Sequence, residues 1–164
     1  MIDAVVHSYV IKVNKTTQIC TIYDNDKPIM SEYVSTAREG YNTPVGTWKI
    51  QKSGKSPAKA RTALLSGGSS YAEYLTRFKG AKCIHTVPYK ERQTSGHVNK
   101  NQFNKLGSVA SGGCVRVPYK MAKFIYENCP LGTPVIVYEK VDDYPMGKPT
   151  KYTAVTNIDP TYTK

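Results

Sequence analysis

Carboxylates are scarce in this chain: 12 Asp and Glu stand against 23 Lys and Arg, which leaves a formal charge of +11 and a pI near 9.5. A surface so short of acids repels cationic partners and attracts anionic ones, whether nucleic acid, a membrane face or a cell wall. Long apolar runs are missing too. No stretch approaches the roughly 18 residues of a membrane span, and residues 1–25 lack the basic, apolar, small-residue order of a signal peptide. Cysteine is sparse: Cys20, Cys83, Cys114 and Cys129 form no CxxC pair, which argues against a close-spaced zinc motif. A chain of 164 residues has a core of its own and does not need a disulfide framework. The basic segment SGKSPAKA contains a GKS triplet, but Lys49 stands where a phosphate-binding loop requires glycine. The sequence has no internal repeat, no low-complexity tract and no nucleic-acid-binding motif, so net charge alone does not make a nucleic-acid partner.

What is present suits a β-rich protein with many turns. It has 13 tyrosines, 12 glycines and 10 prolines, with 40% hydrophobic residues, in a length that favours one domain. Residues 4–13 alternate, placing Val5, His7, Tyr9, Ile11 and Val13 on one strand face. NKTT, QICTIY, DNDKP and IMSEYVS then read as turn, strand, turn and strand, a three-strand meander. TPVGTWKI starts a further strand, with Trp48 and Ile50 on one face. Residues 61–66 form another, SSYAEYLTRF reads as a short helical turn, and AKCIHTV returns to β character. The polar segment 89–107 has no clear period and reads as a lid or substrate wall. Pro118 suits the first position of a helix carrying Met121, Phe124, Ile125 and Cys129, and PVIVYEK is a β-branched strand that closes the sheet. Residues 141–164 read as an extension packed on the surface or partly disordered.

The chemistry centres on SGGCVR, Ser111 to Arg116, where a thiol follows two glycines and a substrate can approach closely. A free thiol is only a few per cent ionised at neutral pH and needs a base or a cation beside it. His85, in CIHTVPY, is the best candidate. Spacing alone leaves several arrangements open. In one, Cys114 and His85 carry out acyl transfer, with an oxyanion held by the N–H groups of Gly113 and Cys114 and a substrate carboxylate held by Arg116. In another, Cys83, His85, Cys114 and either His97 or Cys129 bind a metal; in a third, a Cys83–Cys114 disulfide silences the thiol. Cys20 and Cys129 read as core residues.

In order, TPVGTWKI, CIHTVPY, LGSVASGGCVRVP and LGTPVIVYE resemble the catalytic domain of the L,D-transpeptidases, the YkuD-type fold, over about residues 5–140. The resemblance implies a mainly β domain, a β-sandwich or barrel with one or two short helices, spanning residues 1–140 with 141–164 as an extension. It implies that Cys114 is the nucleophile and His85 its base, with Gly113 and Cys114 at the oxyanion site. Arg116, Ser111 and Thr86 would contact substrate. The implied reaction attacks a peptidoglycan stem tetrapeptide after its third residue, releases D-alanine and passes the acyl group to an amine of another stem peptide. No metal or organic cofactor is implied. The partners would be stem peptides and anionic wall polymers, the location extracytoplasmic at the cell wall or surface, with the export signal or anchor not present in this chain. The alternatives are an L,D-carboxypeptidase that uses water as acceptor and a non-catalytic wall-binding domain. Two departures stand out: many members carry histidine where this chain has Gly112, and Gly or Ser where it has Thr86. The segment between His85 and Cys114 is also longer than in compact members.

Overall fold

Asn25 and Asp26 both adopt positive φ, at 49° and 67°, and so form the tight two-residue turn whose twist suits a β-hairpin. In the computed structural model, which describes residues 5–65, 68–90 and 95–164, this turn joins β2 (Ile19–Asp24) to β3 (Lys27–Tyr33). β1 (Tyr9–Asn14) precedes them and ends where the Asn14 side chain accepts the N–H groups of Thr16 and Thr17. The meander expected over the first 35 residues is therefore present. Its first strand begins later than the alternation suggests, since Val5 and Val6 are exposed and Ala4 lies outside the described residues.

β9 (Pro134–Tyr138) inserts between β1 and β4 (Gly46–Lys49), parallel to the first and antiparallel to the second. The result is a five-stranded sheet in the order β3-β2-β1-β9-β4. The second sheet runs β5-β6-β7-β8, built from Lys59–Leu64, Tyr71–Lys79, Lys82–Thr86 and Val115–Val117. β5 starts two residues before the strand expected over 61–66 and stops before Leu65; Ser66 lies outside the described residues.

β6 replaces the helical turn expected in SSYAEYLTRF. Tyr71, Tyr74, Leu75 and Phe78 have a spacing that also fits a helix, which is why the pattern misled. In the sheet, Tyr74 and Phe78 enter the core while Glu73, Leu75 and Arg77 occupy the other face. Burying Glu73 is tolerable because its carboxylate is satisfied. Arg61 Nη1 and the Gly96 N–H both donate to it, at 3.0 and 2.8 Å.

One core joins the two sheets. Ile11, Val13, Cys20 and Ile22 meet Phe78, Ile84, Val115 and Val117, and α2 (Tyr119–Asn128) adds Met121, Ala122 and Ile125. Each large apolar side chain buried in this way stabilises the fold by roughly 1.5–3 kcal/mol. Pro118 sits just before this helix rather than in its first turn, with an extended ψ of 152°. The first N–H groups of a helix have no partner within it, and those of α2 are capped from far along the chain. Tyr119 N–H donates to Asp159 Oδ2 and Lys120 N–H to Thr161 Oγ1.

The expected lid is mostly a small structure of its own. Residues 91–94 of the segment 89–107 lie outside the description. In the rest, α1 (Lys100–Phe103) is capped by Asn99, and Val98, Phe103 and Leu106 pack with Val87 and Ala154 in a second apolar cluster. Residues of the 141–164 extension hold this cluster down. Val98 N–H donates to Asn157 C=O, Asp159 N–H to Gly96 C=O, and Asn104 exchanges two hydrogen bonds with the Ala154 backbone.

Candidate active site

The parallel pairing of β7 with β8 sets the site. Ile84 lies opposite Val115 and His85 opposite Arg116. Ile84, Val115 and Val117 point into the core, so the strand alternation turns Cys83 and His85, with Cys114 and Arg116, to the other face. That face opens on a cavity of about 420 Å³. Arg77, Lys82 and Arg116 line it, and among the described lining residues there is no carboxylate.

Cys114 is held at the mouth of β8 by a braced turn. The Ser111 hydroxyl donates to the Cys114 carbonyl at 2.5 Å and accepts the Gly113 N–H at 3.1 Å. From the other side, Thr43 Oγ1 donates to the Gly113 carbonyl at 2.8 Å. Position 113 needs a residue that tolerates a left-handed backbone and has no Cβ. Its φ is +137°, and a Cβ there would collide with the Lys82 ammonium and lie 3.1 Å from the Asn42 carbonyl. Gly112 is different. It is exposed, it needs no left-handed backbone, and a Cβ there would meet only Tyr41, at 3.9 Å.

His85 Nδ1–H donates to the Thr86 carbonyl at 2.6 Å, which fixes the tautomer and leaves Nε2 for Cys114. The Cys114 thiol is held well below the ordinary thiol range. The Cys83 thiol is the main cause, donating a hydrogen bond to the sulfur and so favouring its charged form. Burial opposes this, while the His85 hydrogen bond and charge add to it, as does the Cys83 backbone N–H at 3.4 Å. The same hydrogen bond and burial push the Cys83 thiol up. The two thiols thus shift in opposite directions, and Cys114 is the readier of the two to ionise.

The expected site residues fare differently. Cys114, His85 and Arg116 come together around the cavity. Arg116 is half-buried and donates from Nη1 to Gln102 at 2.8 Å, which ties the 89–107 segment to the site, although none of the described residues of that segment is among those that line the cavity. Ser111, 1% exposed, lines the cavity and has its hydroxyl engaged by the turn. Thr86 is fully buried and its Oγ1 accepts the Glu73 N–H at 2.8 Å. The Gly113 N–H, expected at the oxyanion, is turned to Ser111. Cys20 and Cys129 are core residues; burial raises both thiols, Cys129 to about 12. The four-ligand metal arrangement does not assemble: among the described residues no three His, Cys, Asp or Glu side chains converge on one point. Sequence reasoning missed the cavity cations Arg77 and Lys82 and the brace Thr43. Lys82 had one signal, its place at the start of the strand that carries His85.

A family model described as the L,D-transpeptidase catalytic domain (YkuD) matches residues 8–137. A protein of Bacillus subtilis (strain 168), YciB, whose name assigns it provisionally to the L,D-transpeptidases, is 30% identical over 132 residues; the match covers 77% of this chain and 64% of YciB. Two solved structures share the fold. An L,D-transpeptidase from Stackebrandtia nassauensis has a TM-score of 0.61 at 22% identity, covering 83% of this chain and 58% of its own. One from Mycobacterium smegmatis has a TM-score of 0.64 at 14% identity, covering 80% and 58%. The chain thus spans less than two thirds of these relatives' length.

Proposed function

Since this chain belongs to the L,D-transpeptidase catalytic domain family (YkuD), we propose that it is a peptidoglycan L,D-transpeptidase in which Cys114 is the nucleophile and His85 the general acid and base. The observation that carries the reading is the geometry at Cys114: a thiol lowered in its ionisation range that shares a cavity with a histidine whose other nitrogen is fixed on a backbone carbonyl. The thiolate attacks the carbonyl carbon after the third residue of a stem tetrapeptide. The developing oxyanion faces the Cys114 N–H, since the Gly113 N–H is engaged by Ser111. His85, which takes the Cys114 proton at Nε2 as the thiolate forms, passes it to the departing amine; the C–N bond breaks, D-alanine leaves, and a thioester on Cys114 remains. An amine of a second stem peptide then loses a proton to His85, attacks the thioester and frees the thiolate.

The cavity supports an anionic substrate. Arg77, Lys82 and Arg116 stand around the sulfur without an acid among the described lining residues, which favours a peptide that carries free carboxylates. Work on the wall would place the protein outside the membrane, where the +11 charge also favours anionic wall polymers.

Mass spectrometry of a disaccharide-tetrapeptide incubated with the protein and with Cys114→Ala tests this. Loss of D-alanine with a cross-linked dimer, from the unmodified protein only, is the expected result. Loss without dimer would replace transfer by hydrolysis, and unaltered tetrapeptide with a folded protein and a free thiol would replace catalysis by binding.

A further inference from the structure

Strand register sets a second thiol beside the first. One step before the Ile84 and Val115 pair, Cys83 on β7 flanks Cys114. Neighbouring strands lie about 4.8 Å apart, within the roughly 4.4–6.8 Å Cα separation that a disulfide bridges. Both side chains leave the sheet on the same face, because Ile84 and Val115 both enter the core. The Cys83 N–H reaches Cys114 Sγ at 3.4 Å, and the two sulfurs approach one oxygen, the Ala81 carbonyl, at 3.7 and 3.6 Å. Both thiols are free. Both border the cavity, but their access differs: Cys114 is half-buried, whereas Cys83 is 2% exposed. A small oxidant entering the cavity therefore meets Cys114 first, and the thiol placed to react with the product is Cys83.

We propose that Cys83 is a resolving thiol, which converts oxidised Cys114 into a reversible Cys83–Cys114 disulfide and so protects the nucleophile while switching it off. The oxidant class is a hydroperoxide. The Cys114 thiolate attacks one peroxide oxygen, the O–O bond breaks, and Cys114 becomes a sulfenic acid as hydroxide departs. Cys83 sulfur then attacks the Cys114 sulfur; the S–O bond breaks, and the leaving hydroxide takes the Cys83 proton as water. A dithiol returns two electrons by exchange, forming its own disulfide and restoring both thiols. The low ionisation range of Cys114 favours the first step at neutral pH. Without Cys83 the sulfenic acid would go on to the sulfinic acid, which dithiols do not reduce.

The effect on turnover rests on Cys114 being the nucleophile; the disulfide itself does not. The test treats the full chain with hydrogen peroxide, alkylates the remaining thiols and maps peptides by mass spectrometry, with turnover measured before and after dithiothreitol. The expected result is a linked pair of peptides holding Cys83 and Cys114, lighter by two hydrogens, with turnover lost and then restored by dithiothreitol. In Cys83→Ser, Cys114 should instead gain two oxygens and stay inactive after dithiothreitol. Folded protein that forms no linked pair, or in which Cys114 takes the same course with and without Cys83, overturns the proposal. Should Cys83→Ser not fold, the linked pair in the unmodified chain decides alone. A linked pair in a protein that never turns over tetrapeptide would uphold the disulfide and overturn the transpeptidase reading, whereas turnover without linkage would do the reverse.

Discussion

The two sheets put the same residue type to opposite use. Cys20 lies in β2 of the five-stranded sheet, fully buried, with its thiol pushed up by burial. Cys114 leads into β8 of the four-stranded sheet, half-buried, with its thiol pulled down by a neighbouring thiol, a histidine and a backbone N–H. Both sheets bury polar groups beside their apolar side chains, Asn14, Thr21 and Glu32 in the first and Glu73, Thr76, His85 and Thr86 in the second. Buried polar groups are costly unless satisfied. Around the histidine they are satisfied in series: Glu73 N–H donates to Thr86 Oγ1, and His85 Nδ1–H donates to the Thr86 carbonyl. In the first sheet such hydrogen bonds close a strand end, as at Asn14; in the second they orient a side chain that faces the cavity.

Alanine at each thiol puts this contrast to its hardest test. Cys114→Ala should lower turnover by at least about a thousandfold with little change in Tm. Cys20→Ala should leave turnover intact and cost about 1 kcal/mol in urea unfolding. Equal effects of the two on turnover would erase the distinction. Next in size is Gly113→Ala, where a positive φ and the close approach to the Asn42 carbonyl act together. It should cost about 1 kcal/mol or more and reduce kcat more than it raises KM, because it moves the sulfur. A substitution with unchanged kcat would show that the turn does not place the nucleophile.

Thr86 separates side-chain from backbone work. Thr86→Val leaves the buried Glu73 N–H without its acceptor and should cost about 1–3 kcal/mol, whereas Thr86→Ser, which keeps the hydroxyl, should cost far less. Chemical denaturation of the two variants checks this. The pH profile of iodoacetamide alkylation divides the thiols further. A thiol with a depressed pKa keeps its thiolate as pH falls, so Cys114 should still react well below the ordinary thiol value of about 8.5, while His85→Ala should move that profile upward. Cys20 and Cys129, with raised pKa values, should stay unreactive across the same range. The smallest effect is expected of Gly112→His, because the position is open enough to take the side chain. Its stability should change by no more than about 0.5 kcal/mol, as for most surface substitutions, and any gain should appear in KM for the tetrapeptide.

Much of the first sheet was legible because its strands alternate and its turns carry Asn, Asp and Gly. β6 was not, because its apolar spacing fits two periods, and the partners that let Glu73 be buried, Arg61 and Gly96, lie 12 and 23 residues away. Cys114 and His85 were legible through motif resemblance rather than through spacing. Their meeting depends on a parallel pair joined by a long connection, whose register no local pattern reports. The hydroxyls of Ser111 and Thr86 were visible in the sequence, but the direction of their hydrogen bonds was not. The helix cap from Asp159 was hidden by a separation of 40 residues.

The partner that orients His85 is a main-chain oxygen. Every amino acid carries that atom, so the Thr86 carbonyl persists whatever codon stands at position 86, provided the strand keeps its path. Family members with glycine or serine there can supply the same acceptor, and the departure at Thr86 leaves this part of the machinery intact. An alanine scan would pass over it in silence. Only a change to the backbone itself, such as one that shifts β7 against β8, could delete it, and in that respect the histidine's orientation is inherited with the topology and not with any one side chain.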